Sequence, residues 1–168
     1  MSGVGAPAIA LGDVGGLSVA IVAAKWHARV MQGLVDGATG RLADAGLFDP
    51  LIVRVPGAFE LPLAVQAVAS RCDAVVALGV VIRGGTPHFD YVCRAATDGL
   101  MRVGLDSGAS IGFGLLTCDT EEQALARAGL SGSTEDKGAE AVEAALTQAV
   151  VIAELRSPGT GASLDQPL

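Results

Sequence analysis

The stretch Ala74-Val75-Val76-Ala77-Leu78-Gly79-Val80-Val81-Ile82 is the longest strongly apolar run of the chain, and Arg83-Gly84-Gly85-Thr86-Pro87-His88 follows it directly. The run is far shorter than the ~20 residues that a membrane-spanning helix needs, but it suits a strand buried on both faces of a parallel sheet. The glycine pair opens a turn, and Thr86 with Pro87 suits the cap and first position of a helix. This stretch therefore predicts a strand followed directly by a helix.

The same alternation extends in both directions from this unit. Apolar runs predict further strands near Leu17–Ala24, Leu51–Val55 and Ile111–Leu116. Helical spacing is seen in Leu61, Ala64, Val65 and Val68, in Val92, Ala96 and Val103, and in Val142, Ala145, Ala149 and Ile152, and Thr120 with Gln123 predicts a capping box. We predict an α/β fold, a flavodoxin-like three-layer α/β/α sandwich with a central four-stranded parallel sheet.

Length and composition favour one domain. The chain has 168 residues, of which 51% are hydrophobic and only 4% aromatic, as in parallel strands covered by alanine-rich helices. The predicted domain spans 17–156, between flexible arms at 1–16 and 157–168 that are rich in Gly, Ala, Pro and Ser. A chain this apolar is also compatible with a homo-oligomer that buries part of its surface between subunits.

Charge and cysteine usage exclude several classes of protein. A net charge of −7 offers no basic stripe for nucleic acid. No apolar run is long enough for a membrane span, and no signal peptide is recognisable at the start. Cys72, Cys93 and Cys118 lack CxxC spacing, which favours reduced thiols and a cytoplasmic protein.

The segment from Gly84 to His88 is the best candidate for chemistry. Glycines before a helix start let a phosphate approach the backbone, and free N–H groups and the helix dipole favour an anion there. His88 could exchange protons near neutral pH. The alternatives are a turn that merely starts a helix and a structural histidine. His27 is remote in sequence, so we expect no metal site.

Other candidates follow the remaining strands. Trp26 follows the first strand and either stacks on a planar ligand or fills the core. Phe59 and Glu60 follow the second strand, where they either line a pocket or, for Glu60, complement the dipole of a helix. Arg127, near the end of the fourth helix, and Lys137, before the last, are candidate anion partners, and the planar fork of arginine favours Arg127.

Taken together, three segments resemble the signature segments of the lumazine synthase family, in the same order. They are Pro56-Gly57-Ala58-Phe59-Glu60-Leu61-Pro62, then Ala77-Leu78-Gly79-Val80-Val81-Ile82-Arg83-Gly84-Gly85-Thr86-Pro87-His88-Phe89-Asp90-Tyr91-Val92, then Glu122-Gln123-Ala124-Leu125-Ala126-Arg127-Ala128-Gly129. The resemblance implies a transferase of riboflavin biosynthesis that needs no cofactor. It would condense 5-amino-6-(D-ribitylamino)uracil with 3,4-dihydroxy-2-butanone 4-phosphate to give 6,7-dimethyl-8-ribityllumazine, phosphate and water.

The resemblance also implies a role for each candidate. Trp26 would stack on the pyrimidinedione ring, and His88 would move protons. Ring and ribityl chain would be held by Ala58, Phe59, Glu60, Val80, Val81 and Ile82, and the phosphate by Gly85, Thr86 and Arg127. Members of the family often carry Phe-Asn where this chain has Trp26-His27, which leaves the hydrogen bonding of His27 open.

For the assembly, the resemblance implies a homopentamer with active sites between subunits, where Phe113, Arg127 and Lys137 reach in from the adjacent chain. Some members pack pentamers into a sixty-subunit shell, and an association with riboflavin synthase is a further expectation. Segment Leu130–Lys137 is longer than the short turn of shell-forming members, so we predict a free pentamer.

Three alternatives stay open at this stage. The first is a relative that binds flavin or lumazine without turnover, and the second is a structural scaffold. A flavodoxin-type electron carrier is the third, although no Ser/Thr-rich phosphate loop follows the first strand.

Overall fold

The computed structural model describes residues 11–157, which form an α/β domain. Its strands are β1 (Val19–Ala24), β2 (Leu51–Val55), β3 (Ala74–Ile82) and β4 (Ser110–Cys118). Its helices are α1 (Ala28–Asp44), α2 (Leu61–Ala69), α3 (His88–Ser107), α4 (Glu121–Leu125) and α5 (Lys137–Arg156), and a 3₁₀ turn at Ala58–Glu60 precedes α2. Of the predicted arms, residues 1–10 and 158–168 lie outside the described residues, whereas Val14 is buried against the core.

The sheet confirms the predicted fold class. Its four strands run parallel in the order β2-β1-β3-β4. β2 and β3 have the predicted bounds, and β1 begins at Val19 rather than Leu17. Before β1, the N–H of Ser18 is bonded to a side chain instead of a strand: the Asp73 carboxylate accepts from the Ser18 N–H at 2.8 Å and from its Oγ at 2.7 Å.

Successive residues of the central strands point alternately into two layers of the core. Ile21 and Ala23 of β1 belong to the cluster that packs under α1 and α5, whereas Ala20 and Val22 belong to the cluster under α2 and α3. Successive strand residues point to opposite faces, so both faces of a central strand must be apolar when helices cover both. The result is the predicted three-layer sandwich.

The strand order places the loops of interest at one edge. From β1 the chain passes through α1 to β2 on one side, and β3 then pairs with β1 on its other side. Parallel sheets bind ligands beyond the carboxyl ends of the strands, where this change of direction opens a crevice. Trp26, the Pro56–Glu60 segment and the Arg83–Pro87 segment all follow strand ends at this edge.

The start of α4 confirms one of the two hydrogen bonds of the predicted capping box, whereas the Gln123 side chain binds the residue before the N-cap. Thr120 Oγ1 accepts a hydrogen bond from the N–H of Gln123 at 3.3 Å, and Gln123 Oε1 accepts from the N–H of Asp119 at 2.9 Å.

Between residues 11 and 157, no helix combines the length and the apolar character that crossing a bilayer requires.

Candidate functional site

A cavity of about 340 Å³ lies at the carboxyl edge of the sheet. It is formed where the ends of β1 and β3 meet the turn after β2 and the start of α3. Its lining consists of Trp26, His27, Gly57, Ala58, Phe59, Glu60, Val80, Val81, Ile82, His88 and Val92. The structure thus brings together all seven residues that the sequence predicted for the ring and ribityl chain, along with His88.

Two aromatic side chains stand at the mouth of this cavity. Trp26 is 68% exposed and Phe59 is 62% exposed. An aromatic residue that filled the core would be buried, so the alternative of Trp26 as a core residue is wrong. Exposed rings at a cavity offer flat apolar faces on which a heterocycle can stack.

His27 has a backbone conformation that few side chains adopt. Its φ of 59° and ψ of 61° lie in the left-handed region, and it occupies the N-cap of α1 without a side-chain cap. Asn, Asp and His are enriched in this region among non-glycine residues. The bend turns the chain from β1 into α1 and places His27 on the cavity wall.

Glu60 helps to shape the turn after β2. Its Oε2 accepts a hydrogen bond from the Gly57 N–H at 2.9 Å, which closes the 3₁₀ turn of residues 58–60. α2 begins only at Leu61, with Pro62 in its first turn. The carboxylate therefore has a structural contact, and it also lines the cavity.

The loop before α3 differs from the prediction by one residue. Thr86 was expected as the N-cap with Pro87 as the first helical residue, but α3 begins at His88 with Pro87 in the N-cap position and no side-chain cap. The carbonyl of Pro87 accepts from the Asp90 N–H at 3.0 Å, so the first turn is tight and Thr86 precedes it. Thr86 and His88 are both exposed.

Gly84 and Gly85 have open space where a side chain would be. An ideal Cβ on either glycine meets no atom within 4 Å, and neither has a positive φ. Neither packing nor backbone conformation therefore requires glycine here. Open backbone ahead of a helix start is what an anion-binding loop needs.

Arg127 and Lys137 lie outside the cavity of their own protomer. Arg127 follows the end of α4 by two residues, and its Nη1 donates to the carbonyl of Gln123 at 2.8 Å. Lys137 is the first residue of α5, and its N–H donates to the carbonyl of Arg127 at 3.0 Å. Main-chain pairing across the Leu130–Lys137 segment therefore brings the two predicted anion partners together.

Glu135 joins these two cations and was missed by the sequence analysis. Its Oε2 lies 2.6 Å from Lys137 Nζ, and its Oε1 lies 3.7 Å from Arg127 Nε. The hydrogen bond from Lys137 is the main cause that lowers the pKa of Glu135 below its ordinary value. Acidic and basic residues alternate in this loop, and that pattern alone did not indicate which of them would be in contact.

Phe113 belongs to a different surface. It lies on β4, is 48% exposed and lines an apolar groove of about 550 Å³ between α3, β4 and α5. Met101, Leu105, Ile111 and Ile152 line the same groove. Gly85, Thr86, Phe113, Arg127 and Lys137 are thus the predicted site residues that do not line the cavity of the protomer.

A family model described as 6,7-dimethyl-8-ribityllumazine synthase matches residues 16–153. The chain belongs to this family. Among the relatives that carry the lumazine synthase name, the protein of Streptomyces coelicolor is 56% identical over 94% of this chain and 99% of its own length. The protein of Kocuria rhizophila is 61% identical over 90% of this chain and 99% of its own.

Family membership confirms the lumazine synthase assignment made from the signature segments, including an enzyme of the transferase class in riboflavin biosynthesis. The scaffold, silent-binder and electron-carrier alternatives are not favoured. Small-molecule substrates and oligomeric assembly follow at the level of the family. No group of three or more His, Cys, Asp or Glu side chains within 11–157 is arranged to hold a metal ion.

Proposed function

We propose that this cavity is the uracil-binding half of a lumazine synthase site in which 5-amino-6-(D-ribitylamino)uracil condenses with 3,4-dihydroxy-2-butanone 4-phosphate. Trp26 stacks on the pyrimidinedione ring. Ala58, Phe59, Glu60, Val80, Val81 and Ile82 hold the ring and the ribityl chain. In support, all seven side chains or their backbones line one cavity at the carboxyl edge of the sheet.

The phosphate lies at Gly85 and Thr86 and meets Arg127 of the adjacent subunit. The open loop before α3 leaves room for an anion, and Arg127 offers a planar fork for phosphate oxygens. Lys137 and Phe113 complete the site from the same neighbour. This split is supported by the fact that none of these three residues lines the cavity of its own protomer.

His88 is the catalytic residue that accepts and donates protons during Schiff-base formation, phosphate elimination and ring closure. It lies at the start of α3, on the cavity wall between the ring pocket and the phosphate loop. General acid–base groups of this kind contribute about 10²–10⁴-fold. Positioning two substrates together supplies much of the remaining acceleration.

The observation that carries this proposal is the convergence of Trp26, Phe59 and His88 on one cavity. The test mixes purified protein with both substrates and follows lumazine absorbance and fluorescence, with His88→Ala and a reaction without enzyme alongside. We expect lumazine to form faster than the spontaneous condensation and His88→Ala to slow it. A wild-type rate at the spontaneous level would refute the proposal.

The phosphate assignment has its own test. Arg127→Ala is expected to raise the KM for the butanone phosphate strongly and to leave the KM for the uracil substrate nearly unchanged. Arg41→Ala is a suitable control, since Arg41 pairs with Glu143 on the α1–α5 side of the sheet. Equal increases in both KM values for Arg127→Ala would count against the assignment.

For the assembly we propose a free homopentamer in the cytoplasm, with riboflavin synthase as an associated enzyme. The exposed groove around Phe113 supports a subunit contact, since Leu105 on its rim is 74% exposed. Light scattering distinguishes the forms: five chains of 16.8 kDa make about 84 kDa and a sixty-chain shell about 1 MDa. A shell would overturn the prediction drawn from Leu130–Lys137, and co-sedimentation with purified riboflavin synthase tests the association.

A further inference from the structure

Arg83 makes three side-chain contacts at the point where β3 ends. Its Nε donates to Asp119 Oδ1 at 2.7 Å, and its Nη1 lies 3.2 Å from Asp90 Oδ1. Its guanidinium carbon lies 4.0 Å from the centre of the Phe89 ring. One side chain thus joins the end of β3, the first turn of α3 and the segment between β4 and α4.

These contacts are too exposed to act mainly on global stability. The side chain of Arg83 is 45% exposed, and the two carboxylates are more exposed still. Exposed ion pairs contribute little to folding because water solvates their charges and salt screens them. Three simultaneous contacts do, however, fix the orientation of the joined elements relative to one another.

The elements joined by Arg83 bracket the phosphate loop. Gly84–Pro87 links Arg83 to the first turn of α3, and Phe89 and Asp90 of that turn immediately follow His88. The backbone N–H of Arg83 donates to the carbonyl of Cys118 at 2.9 Å, which ties the near end of the loop to β4. Both ends of a loop with two unpacked glycines are therefore held by the same residue.

We propose that Arg83 is a positioning residue that holds the Gly84–Pro87 loop and His88 in the geometry that receives the butanone phosphate. The inference rests on the proposed site for this substrate. The planar fork of arginine presents donors in fixed directions to two carboxylates while its face lies over a ring, and the flexible ammonium of lysine does not reproduce that geometry. Arg83 does not line the ring pocket, and the β3 residues that do, Val80–Ile82, are held by pairing with β4.

The test is Arg83→Lys, which keeps the positive charge and loses the fork. Because small displacements of binding groups carry large kinetic penalties, we expect the KM for the butanone phosphate to rise about tenfold and kcat to fall by a similar factor. The KM for the uracil substrate is expected to stay within about twofold, since its pocket is intact. Inhibition by inorganic phosphate should weaken in parallel with the first KM.

Arg94→Lys is the matched control, because Arg94 lies on α3 and pairs with Asp98 one turn away. It is expected to leave both KM values unchanged. A merely structural role for Arg83 would lower the active fraction and kcat without a change in either KM, and that result would overturn the proposal. Equal increases in both KM values would do the same.

Two further variants keep the test decisive if Arg83→Lys does not fold. Asp90→Asn and Asp119→Asn each remove one charged partner and retain the arginine, and each should raise the KM for the butanone phosphate selectively. If wild-type protein makes no lumazine above background, the proposed function itself fails. If wild type is active and Arg127→Ala has its expected effect while the three variants do not, only the role of Arg83 fails.

Discussion

Single side chains decide how the charged groups around this site are presented. Glu135 holds Lys137 at 2.6 Å and lies near Arg127, so the two cations keep a common orientation although they belong to different segments. Asp73 has a comparable role below the sheet, where it ties the start of β3 to Ser18. In both cases an acidic side chain orders a turn that apolar packing leaves free.

The left-handed backbone of His27 leads to a prediction about stability. His27→Val should lower the free energy of unfolding by about 1–2 kcal/mol, because a β-branched residue is strained at positive φ. His27→Asn should be close to wild type, since asparagine tolerates this region. Urea denaturation at equal protein concentration measures both, and equal values for Val and Asn would contradict the prediction.

Asp73 gives a prediction about pH. Hydrogen bonds from the Ser18 hydroxyl and backbone N–H lower the pKa of Asp73 below its ordinary value. A carboxylate whose pKa is lowered by folding stabilises the protein above the unfolded-state pKa, and this contribution is lost as pH falls through the folded-state value.

Asp73→Asn should therefore be less stable than wild type at neutral pH, and the difference should shrink below about pH 4, near the ordinary pKa of an aspartate. Urea midpoints of both proteins at a series of pH values provide the measurement. A difference that stays constant down to the acid limit would show that the charge of Asp73 is not responsible.

At the scale of helices and strands, close backbone packing fixes how α5 lies on α1. A Cβ on Gly138, in the first turn of α5, would lie 2.1 Å from the carbonyl oxygen of Leu34 in α1. A Cβ on Gly33 would lie 2.2 Å from the carbonyl oxygen of Ala128. These two glycines let α1 receive both α5 and the segment that carries Arg127.

Gly138→Ala should separate α5 from α1 and lower the free energy of unfolding by about 1–3 kcal/mol, the usual penalty of overpacking. Gly40→Ala is the matched control, because Gly40 lies within α1 and a Cβ at that position would meet no atom within 4 Å. That control should gain up to about 1 kcal/mol from helix propensity. Thermal or urea unfolding of the two variants checks the contrast.

The bounds of β2 and β3 followed from apolar runs that are bounded by turn residues, although β3 is mostly buried and the edge strand β2 is mostly exposed. β4 is longer than predicted, since it begins at Ser110 and ends at Cys118. A serine does not extend an apolar pattern, yet Ser110 is buried and its hydroxyl donates to the carbonyl of Ala145 at 2.8 Å. That partner lies on α5, beyond the reach of a local pattern.

At the scale of the whole molecule, the cavity and the cations belong to different parts of the protomer. Two of the three signature segments, Pro56–Pro62 and Ala77–Val92, supply most of the cavity lining, because both lie at the carboxyl ends of strands at one edge of a parallel sheet. The contacts of Arg83 with Asp119 and of Glu135 with Arg127 were not predicted, because they join side chains of separate segments that only the folded chain brings together. Periodicity reports which face a residue occupies and carries no information on such pairs.

Mixed oligomers test whether the site is shared between chains. His88→Ala and Arg127→Ala are each expected to have low activity. Co-expression of the two variants should restore activity at interfaces where an unmutated His88 faces an unmutated Arg127. Random mixing in a ring with heterologous contacts places both unmutated residues at about a quarter of the sites. Activity no higher than that of the separate variants would place both residues in one protomer's site.

The open loop before α3 has a consequence for how its sequence changes in evolution. Nothing in the protomer occupies the space beside Gly84 and Gly85, and neither has a positive φ. Alanine at either position would leave the fold intact and, by restricting the unfolded chain, would even favour it. Replacement of these glycines therefore carries no folding penalty within the protomer, and on the proposed assignment it is phosphate binding that requires them. In a lineage supplied with riboflavin from outside, we expect this loop to change before the core does.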